Sequence, residues 1–174
     1  MGFNIVLIEP EIPMNTGNIG RLTLASGSVL HLVKPLGFEI NDARVKRAGL
    51  DYWKHLSVNI YENVEDFLSK NNDKHIAYLS SAAEKSYYSI DYRDDMFLVF
   101  GKESVGLSKN IIAKNSDKLY KIPIFSNHVR SLNLANAVSI VVYEGLRNIQ
   151  GWDLDDQTEK VRCESLPHFL SKKN

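Results

Sequence analysis

This sequence predicts an α/β fold, a mostly parallel sheet flanked by helices, and three observations lead there. Short apolar runs of strand length recur at residues 3–8, 28–33, 75–80 and 96–100. Segments with helical start signals separate them. The last long segment, 134–149, sets Leu134, Ala137, Val138, Val141, Val142 and Leu146 near helical spacing, so one of its faces is apolar. Strands that alternate with helices form parallel sheets covered on both faces, because each crossover helix must bury its apolar stripe.

The elements follow in order. The run 3–8 precedes Pro10 and Pro13, which marks a buried strand and its exit loop. Asn15 or Thr16 can cap a helix reaching about Ser26, and Gly27 suits its stop. Residues 28–33 alternate toward a second strand before Pro35 and Gly37 break the chain. A short helix is expected over 42–48 and a strand over 57–61. Asn63 then opens a helix with Glu65 and Asp66 in its first turn, where acids face the positive end of the helix dipole. Residues 75–80 and 96–100 read as central strands, and 108–114 as a helix. Residues 119–124 form a strand with Pro123 at its end or at a sheet edge, since proline cannot donate to a ladder. With no internal repeat, low-complexity tract or linker, one domain is expected over 1–155, followed by a polar tail, 156–174, that contains Pro167.

A chain of 174 residues is long enough for one domain with a real core. Basic and acidic residues balance at 21 each. Nonspecific nucleic-acid binders usually carry a basic excess, so the balance argues against that class but leaves room for a local basic patch. No apolar run can cross a bilayer and the N-terminus lacks a signal layout, so no membrane partner is expected. The single cysteine, Cys163, excludes an intrachain disulfide and a cysteine-rich metal site, and a cytoplasmic setting follows as the expectation. His31, His75 and His168 are scattered and form no metal-ligand pattern.

Three segments place small and polar residues where the chain turns or starts a helix. The first is Asn15-Thr16-Gly17-Asn18-Ile19-Gly20-Arg21. Its GxxG spacing is not the GxGxxG of a dinucleotide site. It reads either as a helix start with two permissive glycines or as an anion or ribose site using capped amides, Asn15 and Arg21. Arg21 itself suits a bidentate phosphate contact or a surface ion pair. The second segment, 100–107, looks like a phosphate loop, but Gly106-Leu107-Ser108 lacks the lysine that would reach the phosphates. That argues against nucleotide triphosphate hydrolysis and leaves a glycine turn with one carboxylate, Glu103. The third segment, 130–138, is the most specific. Ser131, Asn133 and Asn136 crowd a helix start, and capping explains one of them rather than three. Tyr143 on that helix reads as a packed aromatic with its hydroxyl at the surface.

A basic group follows the second strand: Arg44, Lys46, Arg47, Lys54 and His55, with Tyr52 and Trp53 interleaved. It is either a solvated helix face or a surface for phosphates and unstacked bases of RNA. On the second reading Arg44, Lys46, Arg47, Trp53 and Arg130 are the RNA contacts. Single-stranded loops such as a tRNA anticodon stem-loop are the RNA elements whose bases stand free for recognition.

In order and wording the three segments resemble the motifs of the SPOUT methyltransferases, in the minimal single-domain branch that methylates the wobble-nucleotide ribose 2′-oxygen of tRNA. The resemblance runs from Ile5 to Arg147. It implies a C-terminal trefoil knot, which no periodicity predicts. It implies S-adenosylmethionine bound at Leu79, Gly101, Ile122, Ser131 and Leu132, with S-adenosylhomocysteine as product and no metal. By the same resemblance Asn15, Arg21, Glu103, Ser131 and Asn133 are the polar active-site residues, joined by Tyr143. A homodimer pairing through the first and last helices, and leucine tRNAs as substrates, are implied as well. A ribosomal RNA ribose or base methyltransferase of the same fold, or an RNA-binding module without turnover, are the alternative readings.

Relatives assign proton handling to the arginine matching Arg21. A guanidinium is a poor base because it holds its proton tightly, so the other reading is that it fixes a phosphate or ribose while the proton leaves through phosphate or water. The chain departs from the family's pattern at five places. Val105 stands where a basic residue is common, Lys102 where proline or a small residue is, and Ala135 where serine is. Gly145 replaces an alanine inside the last helix at roughly 1 kcal/mol, and the loop 125–129 is longer than usual.

Overall fold

The computed structural model describes residues 2–39 and 52–150. Within them, β1 (Asn4–Ile8), β2 (Val29–Val33), β3 (Val58–Tyr61), β4 (Ile76–Leu79), β5 (Lys85–Ser86), β6 (Phe97–Phe100) and β7 (Leu119–Lys121) form one sheet. Its order is β3-β2-β1-β6-β4-β7-β5, and every pairing is parallel. The helices are α1 (Pro13–Ala25), α2 (Val64–Lys70), α3 (Lys109–Lys114) and α4 (Leu134–Gln150). The expected class, α/β with a parallel sheet, is the one observed. The helix expected over 42–48, with Arg44, Lys46 and Arg47, lies outside the described residues, as does the tail 156–174.

The sheet is buried on both faces at its centre, because β1 and β6 are apolar on both. Along β1, Ile5 and Leu7 join one core with Ile19 of α1 and Val138, Val141 and Val142 of α4. Val6 and Ile8 point the other way, into a second core with Phe67 of α2 and Ile111 of α3. Each such side chain removed from water contributes about 1.5–3 kcal/mol. Gly145 finds its reason here. A Cβ there would sit 2.6–2.8 Å from ring atoms of Phe3 and Tyr92, so glycine lets the two rings lie on α4.

The start of α1 corrects an expectation. Its N-cap is Ile12, which offers no side-chain acceptor, and Pro13 occupies the first turn, where a missing N–H costs nothing. Asn15 and Thr16 therefore lie inside the helix rather than capping it. Its end is as read from the sequence: Gly27 has φ +64°. The Gly27 N–H donates to the Leu24 carbonyl at 3.3 Å and the Ser28 N–H to the Thr23 carbonyl at 2.8 Å, a Schellman closure. Asn63 caps α2 by accepting from the Asp66 N–H, and Ser108 caps α3 by accepting from the Ile111 N–H. β7 stops at Lys121, two residues before Pro123 and short of the expected strand 119–124. β5 had no signal in the sequence, because two residues are too few to show a period.

The order of strands decides where a site can form. β2 and β3 extend to one side of β1, while β6, β4, β7 and β5 extend to the other. The strand order thus reverses between β1, whose successor β2 lies on one side, and β6, whose successor β7 lies on the other, and ligands of open α/β sheets bind at the carboxyl ends of the strands beside such a point.

Candidate active site

A cavity of about 490 Å³ lies at those carboxyl ends, a size common among small-molecule sites. All five residues carried over as cofactor contacts line it: Leu79, Gly101, Ile122, Ser131 and Leu132. Asn15, Glu103, Asn133 and Arg130 line it too. They meet because parallel strands end at one edge of a sheet. Leu79 closes β4, Gly101 follows β6, and Ile122 follows β7.

One hydrogen-bonded chain runs through the three motifs. Glu103 accepts from the backbone N–H groups of Glu11 at 2.8 Å and Ile12 at 3.2 Å. Its Oε1 also accepts from Asn15 Nδ2 at 2.9 Å. Asn15 Oδ1 in turn accepts from Asn133 Nδ2 at 2.9 Å. Asn133 Oδ1 finally accepts from the N–H groups of Ala135 at 2.9 Å and Asn136 at 3.3 Å, which caps α4. A single Asn133 side chain thus closes a helix and ties it to α1. Asn15 is buried, so its amide needs both partners.

A second pair of contacts joins the same two loops, and sequence reasoning missed it. The Glu11 carboxylate accepts from Ser104 through the N–H at 3.0 Å and the hydroxyl at 2.9 Å. The Ser104 side-chain hydrogen bond leads in holding the Glu11 carboxyl below its ordinary range. Lys102 donates to Glu9 at 2.9 Å, and that hydrogen bond raises the Lys102 ammonium above its usual value. Glu9 has φ +51°, uncommon outside glycine, at the point where the chain turns off β1. Acids just past a strand's carboxyl end are a usable signal only once the neighbouring strand is known.

Gly101 packs against its own loop. A Cβ there would lie 2.1 Å from the Gly106 carbonyl carbon and 2.2 Å from the Leu107 nitrogen. A side chain at 101 would therefore disturb the loop before it touched any ligand. Gly106 carries the positive φ, +71°, that closes this turn.

Other expected site residues sit elsewhere. Arg21 is exposed on α1 and does not line the cavity. Its guanidinium carbon lies 5.9 Å from the centroid of the Tyr52 ring, and the Tyr52 hydroxyl donates to the Gly17 carbonyl at 3.0 Å. Burial pushes the Tyr52 phenol up, and the Arg21 charge opposes that shift. Tyr143 is exposed on α4, also away from the cavity. Trp53 is half-buried in a 3-10 turn, and its ring would lie 3.0 Å from a Cβ at Gly20. Packing against α1 accounts for that ring, in place of the open aromatic face expected beside the basic group. Among the described residues no cluster of His, Cys, Asp or Glu could hold a metal ion, and no helix is long and apolar enough to cross a membrane.

The SpoU rRNA Methylase family matches residues 2–143. The tRNA (cytidine(34)-2'-O)-methyltransferase of Saccharophagus degradans is 43% identical over 148 residues, covering 84% of this chain and 96% of that protein. A solved structure bearing on the 2-OH methylation of C/U34 on tRNA superposes with TM-score 0.81 at 39% identity, covering 86% of this chain and 97% of that one. The AdoMet-bound rRNA methyltransferase of Sinorhizobium meliloti superposes with TM-score 0.76 at 26% identity, over 84% of this chain and 56% of that one. The family match spans most of the chain, and relatives more than 30% identical cover over four fifths of it, so the chain belongs to the SpoU rRNA Methylase family.

Proposed function

We propose that this chain is an S-adenosylmethionine-dependent tRNA methyltransferase that modifies the ribose 2′-oxygen of cytidine or uridine 34, the wobble nucleotide, in leucine tRNAs, and that it works as a cytoplasmic homodimer. The observation that carries the reading is the Asn133–Asn15–Glu103 chain on the wall of a cavity that Leu79, Gly101, Ile122, Ser131 and Leu132 also line. Relatives named for this reaction support it at 39–43% identity. The Sinorhizobium neighbour, solved with AdoMet, supports the cofactor.

The cavity fits that cofactor in kind. Leu79, Ile122 and Leu132 offer apolar walls to a flat base, while the tight Gly101 turn and Ser131 offer polar groups. When bound, S-adenosylmethionine supplies a methyl group already activated by its sulfonium charge. What the chain must add is orientation and a route for one proton. Glu103 is read as a positioning residue, since both its oxygens already accept N–H donors. It holds Asn15, Asn15 holds Asn133, and the cavity wall keeps its shape. A guanidinium is a poor base, so Arg21 is read as fixing a phosphate or the ribose, and the hydroxyl proton leaves through that phosphate or water.

Exposure supports the dimer. Ile12, Met14 and Leu24 at α1, and Ile140 and Tyr143 on α4, leave apolar surface open along two helices that contact each other. The reading includes composite sites, in which Arg21 and Tyr143 of one copy serve the cavity of the other. Arg44, Lys46, Arg47 and Arg130 would then hold the anticodon stem-loop. We also read residues 1–155 as one domain whose last part is knotted. The insertion of β7 between the earlier strands β4 and β5 supports such a path.

The test is methyl transfer to an anticodon stem-loop, with the product mapped by mass. The methyl group is expected on the 2′-oxygen of nucleotide 34, and a 2′-deoxy substitution there should abolish transfer. Continued methylation of the deoxy substrate would place the target on a base or on another ribose.

A further inference from the structure

Phe125 is 98% exposed, more than any other large hydrophobic residue among those described. Its position is not random. Ile122 and Ile124 line the cavity just before it, and Arg130 and Ser131 line it just after. The loop 125–129 is therefore a short flap whose two ends are both anchored at the cavity rim. Its shape is set locally: the His128 N–H donates to the Ser126 hydroxyl at 3.2 Å, a turn that keeps the tip folded back. The charge along its own stretch of chain has one sign: from Lys118 to Tyr143 the sequence has no aspartate or glutamate, while Lys121 and Arg130 fall within that stretch. Val105, 70% exposed on the glycine loop of the same cavity, adds an apolar edge.

An aromatic face open to water, beside cationic side chains and at the mouth of a cavity, is the arrangement that binds unpaired nucleobases, because every base has a face to stack and a phosphate to neutralise. We propose that Phe125 stacks on an unpaired base of the RNA substrate adjacent to the nucleotide that enters the cavity, with His128 and Arg130 against the flanking phosphates. This rests on the reading of the chain as an RNA methyltransferase and adds to it a residue that positions the substrate.

The experiment compares wild type with Phe125→Ala, Phe125→Leu and Phe125→Trp. Their folding is not at issue, since the ring is exposed. RNA affinity and KM are measured on a synthetic anticodon stem-loop, alongside S-adenosylhomocysteine affinity and oligomeric state. A 2-aminopurine beside the target nucleotide reports stacking through quenching of its fluorescence. Phe125→Ala and Phe125→Leu should both weaken RNA binding roughly 5- to 100-fold, the range set by one base–aromatic stack. Both should relieve the quenching, and Phe125→Trp should restore it. Cofactor affinity and oligomeric state should not move. If wild type methylates RNA and Phe125→Ala does so with an unchanged KM, the stacking role is refuted while the methyltransferase reading stands. If Phe125→Ala instead weakens self-association or cofactor binding, a second copy or the cofactor covers the ring, and the proposal falls. If wild type neither binds nor methylates any RNA, the functional reading itself falls and takes the proposal with it.

Discussion

Replacing Glu103 by glutamine keeps size and shape but turns one of two acceptor atoms into a donor. In the native site Oε1 receives two N–H groups and Oε2 one. The glutamine oxygen would take the Oε1 place, and its amide nitrogen would then face the Glu11 N–H with no acceptor between them. A hydrogen bond to a charged group contributes about 1.5–3 kcal/mol and a neutral one about 0.5–1.5. Two bonds weaken by about 1 kcal/mol each and one is lost at about 2, a total near 4. Glu103 is half-buried, so water recovers part of this and about 2–3 kcal/mol is expected. For a chain of this length that lowers Tm by about 4–12 °C. The same change frees Asn15 and loosens the cavity wall, so S-adenosylhomocysteine should bind more weakly. Thermal unfolding by circular dichroism and titration calorimetry read the two effects. Unfolding and affinity both equal to wild type would refute the positioning role, because the chain through Asn15 to Asn133 would then not depend on the carboxylate.

Gly145→Ala should destabilise the fold by about 1–2 kcal/mol, since overpacking against Phe3 and Tyr92 outweighs the gain of about 1 kcal/mol in helix propensity. A raised Tm in that variant would show that the rings move aside freely. His31 is buried between Asn4 and the Tyr61 hydroxyl, and burial lowers its imidazole to about 4 from an ordinary 6.5. The unfolded chain therefore takes up a proton first as pH falls, so the contribution of His31 is full above pH 6.5 and is lost on the way to about pH 4. That loss is on the order of 3 kcal/mol. Urea unfolding of wild type should weaken more steeply between pH 7 and pH 5 than that of His31→Gln (about 2 kcal/mol of difference), and equal slopes would contradict this. Arg21→Lys should lose turnover almost as fully as Arg21→Ala while cofactor binding survives, because lysine keeps the charge but not the planar fork. Near-normal turnover by the lysine variant would mean that a point charge suffices.

Much of the fold was legible in the sequence because its signals are local. The Schellman stop at Gly27, the caps at Asn63 and Ser108, and the apolar runs of β1, β4 and β6 are each written within a few adjacent residues. The start of α1 was misread because Asn15 has the chemistry of a cap but is used for something else, the contact with Glu103 and Asn133. Gly145 looked like a cost to the helix until the Phe3 and Tyr92 rings appeared against it. Trp53 looked like an open platform because composition cannot tell a packed ring from a free one.

Sequence alone determined the class of fold and, through three motifs in order, the identity of most cavity residues. It could not determine that Glu103 reaches Asn15 across 88 positions, or that Asn133 reaches Asn15 across 118. Nor could it determine that Arg21 and Tyr143 stand exposed on α1 and α4 and are not part of the cavity wall, or that Phe125 stands open at its rim. The physical reason is the order of the sheet. Periodicity and capping are properties of neighbours along the chain, whereas β1 lies beside β6 only because the whole sheet assembles that way, and the contacts of Glu103 with Glu11, Ile12 and Asn15 follow from that pairing.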